Sequence, residues 1–459
     1  MSKQRTFTSG PIPAQVRQMA VPASIGMFFQ TMYSVVDSFY AGQISTMDLA
    51  AMGLSFPVYL LLVASSNGTA RGASTLIANA VGRDDEDAEK VYVAQSVSLG
   101  IVLSLFLTFA GLCLVAPLFR LMGAEGVYLT KALQYTHTIF IGSVFMVLGS
   151  ISNSILIANG DSKTYSRVLI AGFFLNLILD PWFVHGGMGL PAMGITGIAL
   201  ATVLLLGIAL LILLGTVIRR GLLDISDWRA FVPNLGVYRE IAIQAAPASF
   251  NNMSVALGFF VTTFYLHMFD PHVVAAYGVT TRIEQIVLLP SFGLYAAIMA
   301  MVGQNNGAGK IDRVCETMRV CNRYGLILTI ANSTLMFLFA DPLMRIFSDD
   351  PEVIEVGTTC LRIFAFVQWA YVMTSTHLAM LQAIKHPTYG FFESITRKII
   401  LPVPLLWLFI IQWHQSVQWI WYTSASTTIL MTLITVFIAR SVLSKTVKAT
   451  TLETAVDSA

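Results

Sequence analysis

Apolar residues run through this chain in long blocks, with polar, glycine- or proline-containing breaks between them. The blocks lie at residues 18–44, 51–80, 91–118, 130–157, 164–184, 193–219, 239–268, 272–302, 319–341, 353–383, 390–411 and 418–442. Each is long enough to cross a hydrocarbon layer of about 30 Å at about 1.5 Å per residue. The pattern predicts an all-α integral membrane protein with twelve transmembrane helices. The first block is too long for the apolar core of a signal peptide, so it is expected to persist as a helix.

The blocks also repeat. At an offset of 225 residues, "AVPAS" at 20 falls on "AAPAS" at 245, "VDSFY" at 36 on "VTTFY" at 261, "LAAMGL" at 49 on "VAAYGV" at 274, and "PLFR" at 117 on "PLMR" at 342. A duplicated unit with an even number of spans enters the membrane twice from the same side, so its two copies are related by an axis along the membrane normal. The expectation is two pseudo-symmetric six-helix lobes around a central cleft. The N-lobe would cover 1–219, a polar inter-lobe loop 220–238, the C-lobe 239–442 and a tail 443–459, with loop and tail cytoplasmic.

Composition agrees with this class. Of 459 residues, 56% are hydrophobic and 11% charged, against about 25% charged in soluble proteins. A net charge of +2 excludes a nucleic-acid binder with a large positive field. Of the 27 Lys and Arg, 21 fall on the side of the N-terminus and four on the other, which places both termini in the cytoplasm. Cys113, Cys315, Cys321 and Cys360 show neither metal-ligand nor CxxC spacing and read as small hydrophobes.

One carboxylate stands out. Asp37 lies inside "QTMYSVVDSFYAG", and a charge at the centre of a bilayer is unfavourable by roughly 2.5 kcal/mol or more, so it has partners or is used. Asp180 in "NLILDPWF" is a second such acid. In the repeat Asp37 aligns with Thr262 and Asp180 falls near Pro404, so these acids belong to the N-lobe alone. Both sit in the outer half of outward-running spans. Asn176 is one turn from Asp180, while Gln30, Tyr33 and Asp37 share a stripe, and Tyr135 begins an inward-running span at comparable height. Withdrawing a carboxyl group from water disfavours its charged form, so such a pocket could exchange protons. The alternative is a hydrogen-bonded pair that simply holds the bundle together.

Other polar groups read as structural or stay open. Glu393 and Arg397 are spaced i, i+4 as a pair, whereas Arg282 and Glu284 lie on different helix faces. Arg71 follows the GxxxG pattern of Gly68 and Gly72, which signals close helix packing. His137, His185, His267 and His377 lie singly, so no metal site is expected. "GQNNGAGKI" departs from a phosphate loop at Gln304 and Ile311. No nucleophile or cofactor loop points to an enzyme.

With twelve spans, a two-fold repeat, "VDSFYAG", "ILDPWF" and "MVGQNNGAGKIDRV", the chain resembles the multidrug and toxic compound extrusion (MATE) family over essentially its whole length, and within it the DinF-like branch. The resemblance implies cation or proton coupling by Asp37 and Asp180, with Tyr135, Asn176 and Thr202 in support. It implies substrate contact from Gln30 and Asn153 beside the Tyr33 and Asp37 stripe, and a bend in the first helix at Pro22 and Gly26. The expected protein is a monomeric, multi-pass exporter of amphipathic or cationic drugs and toxic organic cations in the bacterial inner (plasma) membrane. It would be driven by the H+ gradient and need no cofactor or nucleic acid. Sodium coupling and a lipid-linked precursor flippase are the rival readings; the sister branch's acids in the seventh and tenth spans are missing here.

Overall fold

A computed structural model describes residues 7–187 and 189–457, with side chains through 446. Among these residues the fold is helical, with a single isolated bridge between Gly187 and Leu190. In the first half α1 spans Ile12–Ile44, α2 Thr46–Gly82, α3 Glu86–Leu121, α4 Gly126–Ile141, α5 Ser143–Ala158, α6 Lys163–His185 and α7 Ile195–Arg219. In the second half α8 spans Leu235–Leu266, α9 Pro271–Gly307, α10 Ile311–Leu338, α11 Ala340–Arg345, α12 Pro351–Ala365, α13 Gln368–Ala383, α14 Thr388–Ile395, α15 Pro402–Leu406 and α16 Gln418–Asp457.

Eight of the expected spans are single helical runs long and apolar enough to cross a membrane. Two more, where one helix per block was expected, are bent pairs: α4 and α5 meet at 44°, and α12 and α13 at 50°. The remaining two fall on α8 and α10, which are 32 and 28 residues long but less apolar. The eleventh span, Thr388–Gln412, contains two π-helical turns at Thr396–Ile400 and Trp407–Gln412, a departure from α geometry that often marks functional sites. The duplication survives at the level of element ends. Adding 225 to the bounds of α2 gives those of α9, and adding it to α5 gives α13.

By packing, the chain forms two compact units. One is Ile25–Ser249; the other comprises the described residues up to Ser24 together with those from Phe250 on. The expected lobes, 1–219 and 239–442, differ from these units in the first halves of α1 and α8. The reason is a pair of equivalent close contacts. A Cβ on Gly68 of α2 would lie 1.8 Å from Ser249 Oγ, and one on Gly293 of α9 would lie 2.1 Å from Ser24 Oγ. Gly72 is also close-packed, a Cβ there lying 2.9 Å from Ala245 N, which bears out the packing role of the glycine pair around Arg71.

Polar segments between spans are docked. In the first unit Gln95 Nε2 donates to Ala230 O and Val232 O at 2.7 and 2.9 Å, and Ser98 Oγ to Phe231 O at 2.6 Å. In the second, Gln304 Oε1 accepts from Phe7 N at 2.7 Å, and Arg313 donates to the carbonyls of Phe7 and Gly10 at 3.0 and 3.1 Å. The "GQNNGAGKIDR" stretch thus serves as a clasp on the start of the described chain.

Candidate functional site

The site lies in the first unit and is built along the parallel pair α1 and α6. Asp161 anchors α6 at its start. Its carboxylate accepts from Lys163 N and Thr164 N at 2.9 and 3.0 Å, and pairs with Arg220 beyond α7. Gly186, at φ +77°, ends the helix in a conformation that glycine adopts without strain. Between these ends the two helices close in register. Gly26 packs on Ser166, where a Cβ would lie 3.1 Å from that residue's Cα, and the Tyr33 hydroxyl occupies the space beside Gly172. Phe29 stacks edge-on against Phe173 at 5.4 Å.

One turn beyond Tyr33 this contact turns polar. Asn176 Nδ2 donates to Asp37 Oδ1 at 3.3 Å and to Asp180 Oδ1 at 2.9 Å, and Thr202 Oγ1 of α7 reaches Asp37 Oδ2 at 3.4 Å. Asp37 is 7% exposed, Asn176 and Asp180 0%. The two carboxyl groups are thus held by one shared amide, and each can only accept while ionised. Asp180 Oδ2 and Asn176 Oδ1 have no donor among the described residues. A buried array with this many acceptors and so few donors is suited to take up protons or a small hard cation.

The structure brings together Asp37, Asn176, Asp180 and Thr202. Tyr135 is within electrostatic range of both acids but hydrogen-bonds neither, and packs with Ala132, Ile139 and Leu62. Tyr33 lies on the same α1–α6 seam, whereas Gln30 is exposed. Asn153 on α5 has a buried Oδ1 without a partner and does not join the aspartates. Pro22 and Gly26 lie within an unbroken α1, and they flank the Ser24–Ile25 step at which that helix passes from one compact unit to the other.

A second polar site takes in Glu284, which the sequence left open, and Lys398, which sequence reasoning missed. In the other unit a cavity of about 50 Å³ is lined by Thr262, Tyr277, Glu284, Tyr371, Arg397 and Lys398. Thr262 is the repeat counterpart of Asp37, so this cavity occupies the equivalent place with different chemistry. Glu284 accepts from Gln368 Nε2 at 3.3 Å, and Arg397 pairs with Glu393 at 2.5 Å as the i, i+4 spacing predicts. Lys398, on the first π-helical turn, makes no ion pair among the described residues. A lysine beside an arginine inside "ITRKIILPVP" was the available signal. Asp270, His272 and Glu352 also bring ligand atoms within 4.8 Å of one another, but all three are exposed and Asp270 is occupied capping α9.

The MatE family model matches residues 22–182 and 247–408, one copy in each half of the duplication. The chain belongs to the MatE family. MATE proteins are transporters rather than enzymes, and this chain is a multi-pass membrane member with multidrug efflux proteins among its relatives. It is 27% identical to a Shewanella oneidensis protein named FAD transporter, over 88% of this chain and 90% of the relative. It is 26% identical to a probable multidrug resistance protein NorM from Thermotoga maritima, over 80% and 78%. A solved MOP-superfamily transporter from Pyrococcus furiosus superposes with a TM-score of 0.90 at 23% identity, covering 97% of this chain and 99% of that one.

Proposed function

We propose that this MATE protein is a proton-driven antiporter that exports amphipathic, cationic organic compounds by alternating access. One observation carries the proposal: two buried aspartates bridged by a single amide, with fewer donors than acceptors. When the pair is deprotonated, its charge attracts a cationic compound. Proton uptake from outside cancels that charge and releases the compound, and proton loss to the cytoplasm restores the pocket. Coupling requires that proton and drug bias the two conformations differently, not that they touch. Asn176 and Thr202 hold Asp37 where the change of charge acts, and the Pro22–Gly26 stretch of α1 is where a change of shape would pass along the helix.

The test is uptake of a fluorescent organic cation into proteoliposomes under an imposed pH gradient, with and without a sodium gradient. Asp37→Asn is expected to abolish proton-driven transport; parental activity in this variant would overturn the proposal, and transport driven by sodium alone would replace the coupling ion.

A second reading, export of an anionic compound, is favoured by the unpaired Lys398 beside Arg397 and by the name of the Shewanella relative. In that reading Lys398 supplies the charge that holds a phosphate or carboxylate group.

A further inference from the structure

In the unit that begins at Phe250, a groove of about 610 Å³ opens between α10, α13 and α16. That volume lies within the range of about 300–1,000 Å³ typical of ligand sites. Its lining has a direction. Arg319, Arg323, Leu326 and Ile330 follow one another along one face of α10, and Arg440 and Leu443 of α16 stand opposite. The lining holds three guanidinium groups and no acid, and none of the three forms an ion pair among the described residues. Past the arginines the wall is apolar and continues onto exposed Ile327, Leu328 and Ile330 on the flank of α10.

The duplication explains why the groove is open. In the first unit the equivalent face of α3 carries Ala94 and Ser98, and it is covered by the segment around Phe231, whose carbonyl accepts from Ser98. That segment follows α7 because the chain turns back after Arg219. In the second unit α16 continues as a helix through Asp457, and among the described residues no segment docks on this face of α10. The arginines are therefore not a demand of the scaffold, whose first copy has Ala94, Ser98 and Gly215 at their positions.

We propose that this groove binds an anionic phospholipid, its phosphodiester headgroup held by Arg319, Arg323 and Arg440 and one acyl chain laid along Leu326 and Ile330. Guanidinium forks match phosphate oxygens. Basic pockets at the Lys- and Arg-rich side of a bundle face the leaflet that carries anionic lipids. The apolar continuation of the wall selects a lipid over free phosphate.

The experiment is native mass spectrometry of the detergent-purified, delipidated full chain titrated with phosphatidylglycerol, with phosphatidylcholine of the same acyl chains, or with inorganic phosphate. Three basic residues near an anionic headgroup together contribute on the order of a hundredfold. Phosphatidylglycerol should therefore bind at least tenfold more tightly than phosphatidylcholine, and phosphate should not compete. The triple change Arg319→Gln, Arg323→Gln and Arg440→Gln should erase that preference. Leu326→Trp, which fills the apolar wall with the arginines intact, should weaken phosphatidylglycerol at least tenfold, and it decides the matter alone if the triple variant does not fold. Equal binding of the two lipids, a preference that survives either change, or full competition by phosphate would each overturn the assignment.

Discussion

Replacing Asn176 by leucine tests the aspartate array most directly. The repeat places Leu401 at the equivalent position of the second unit, between a π-helical turn and α15. The change removes one donor group that serves two carboxyl oxygens, at 2.9 and 3.3 Å. A hydrogen bond to a charged group contributes about 1.5–3 kcal/mol, and the longer bond less, so the array loses roughly 2–4 kcal/mol. At about 1.4 kcal/mol per factor of ten, proton-driven transport should fall by roughly 30-fold or more. Thr202→Val is the matched comparison. Its hydroxyl has a single proton, which it shares between Asp37 at 3.4 Å and the Ile198 carbonyl at 3.1 Å, so the nearer carbonyl takes much of it. The loss should be only a few-fold. Initial uptake rates under a fixed pH gradient measure both, and thermal melting in detergent separates folding from transport. If the two variants fall equally, or valine is the worse, the bridging role assigned to Asn176 is wrong.

Three further outcomes follow from the packing and the charges. Gly68→Ala should destabilise by about 1–3 kcal/mol, because Ser249 backbone N lies 2.7 Å from the new Cβ, whereas Gly53→Ala, which meets nothing within 4 Å, should stabilise by about 0.5–1 kcal/mol. Melting curves in one detergent read this difference in sign, and Gly293→Ala should behave like Gly68→Ala. Asp161→Ala removes the carboxylate that accepts from two backbone N–H groups at the start of α6 and leaves part-exposed Arg220 without its partner, so a loss of about 1–2 kcal/mol is expected in the same assay. On the second reading, Lys398→Gln should leave export of an organic cation intact and abolish export of an organic anion; unchanged export of the anion by this variant would remove that reading.

The helical class and the duplication were legible because hydrophobic length and repetition are properties of the chain itself. So was the pairing of Asp37 with Asn176 and Asp180, since helical spacing puts the latter two on one face and membrane depth brings α1 level with α6. Three things were not legible. The bends at residue 142 and at 366–367 interrupt blocks that stay apolar throughout, so hydropathy does not register them. The assignment of the first halves of α1 and α8 to their units depends on glycine–serine contacts between residues far apart in sequence. Lys398 looked like one more basic residue at the end of a span, and only the cavity with Glu284 and Tyr371 distinguishes it.

The duplication also bears on the two readings of the buried aspartates. If Asp37, Asn176 and Asp180 served only to hold the helices together, the second copy of the scaffold would need a substitute at the same places. It has Thr262, Leu401 and Leu405 there, and α8 and the π-interrupted span Thr388–Gln412 still form. Conversely, Glu284 and Lys398 correspond to Tyr59 and Phe173, so the first copy folds without the second one's charges. Each unit therefore carries buried or half-buried ionisable groups that its twin lacks. A charge in a membrane interior costs several kcal/mol unless it is matched, and a cost that the fold does not require is retained for what the charge does. By that argument the acid pair of the first unit and the Glu284 and Lys398 side chains of the second are not demands of the duplicated scaffold, which supports the roles proposed for them above.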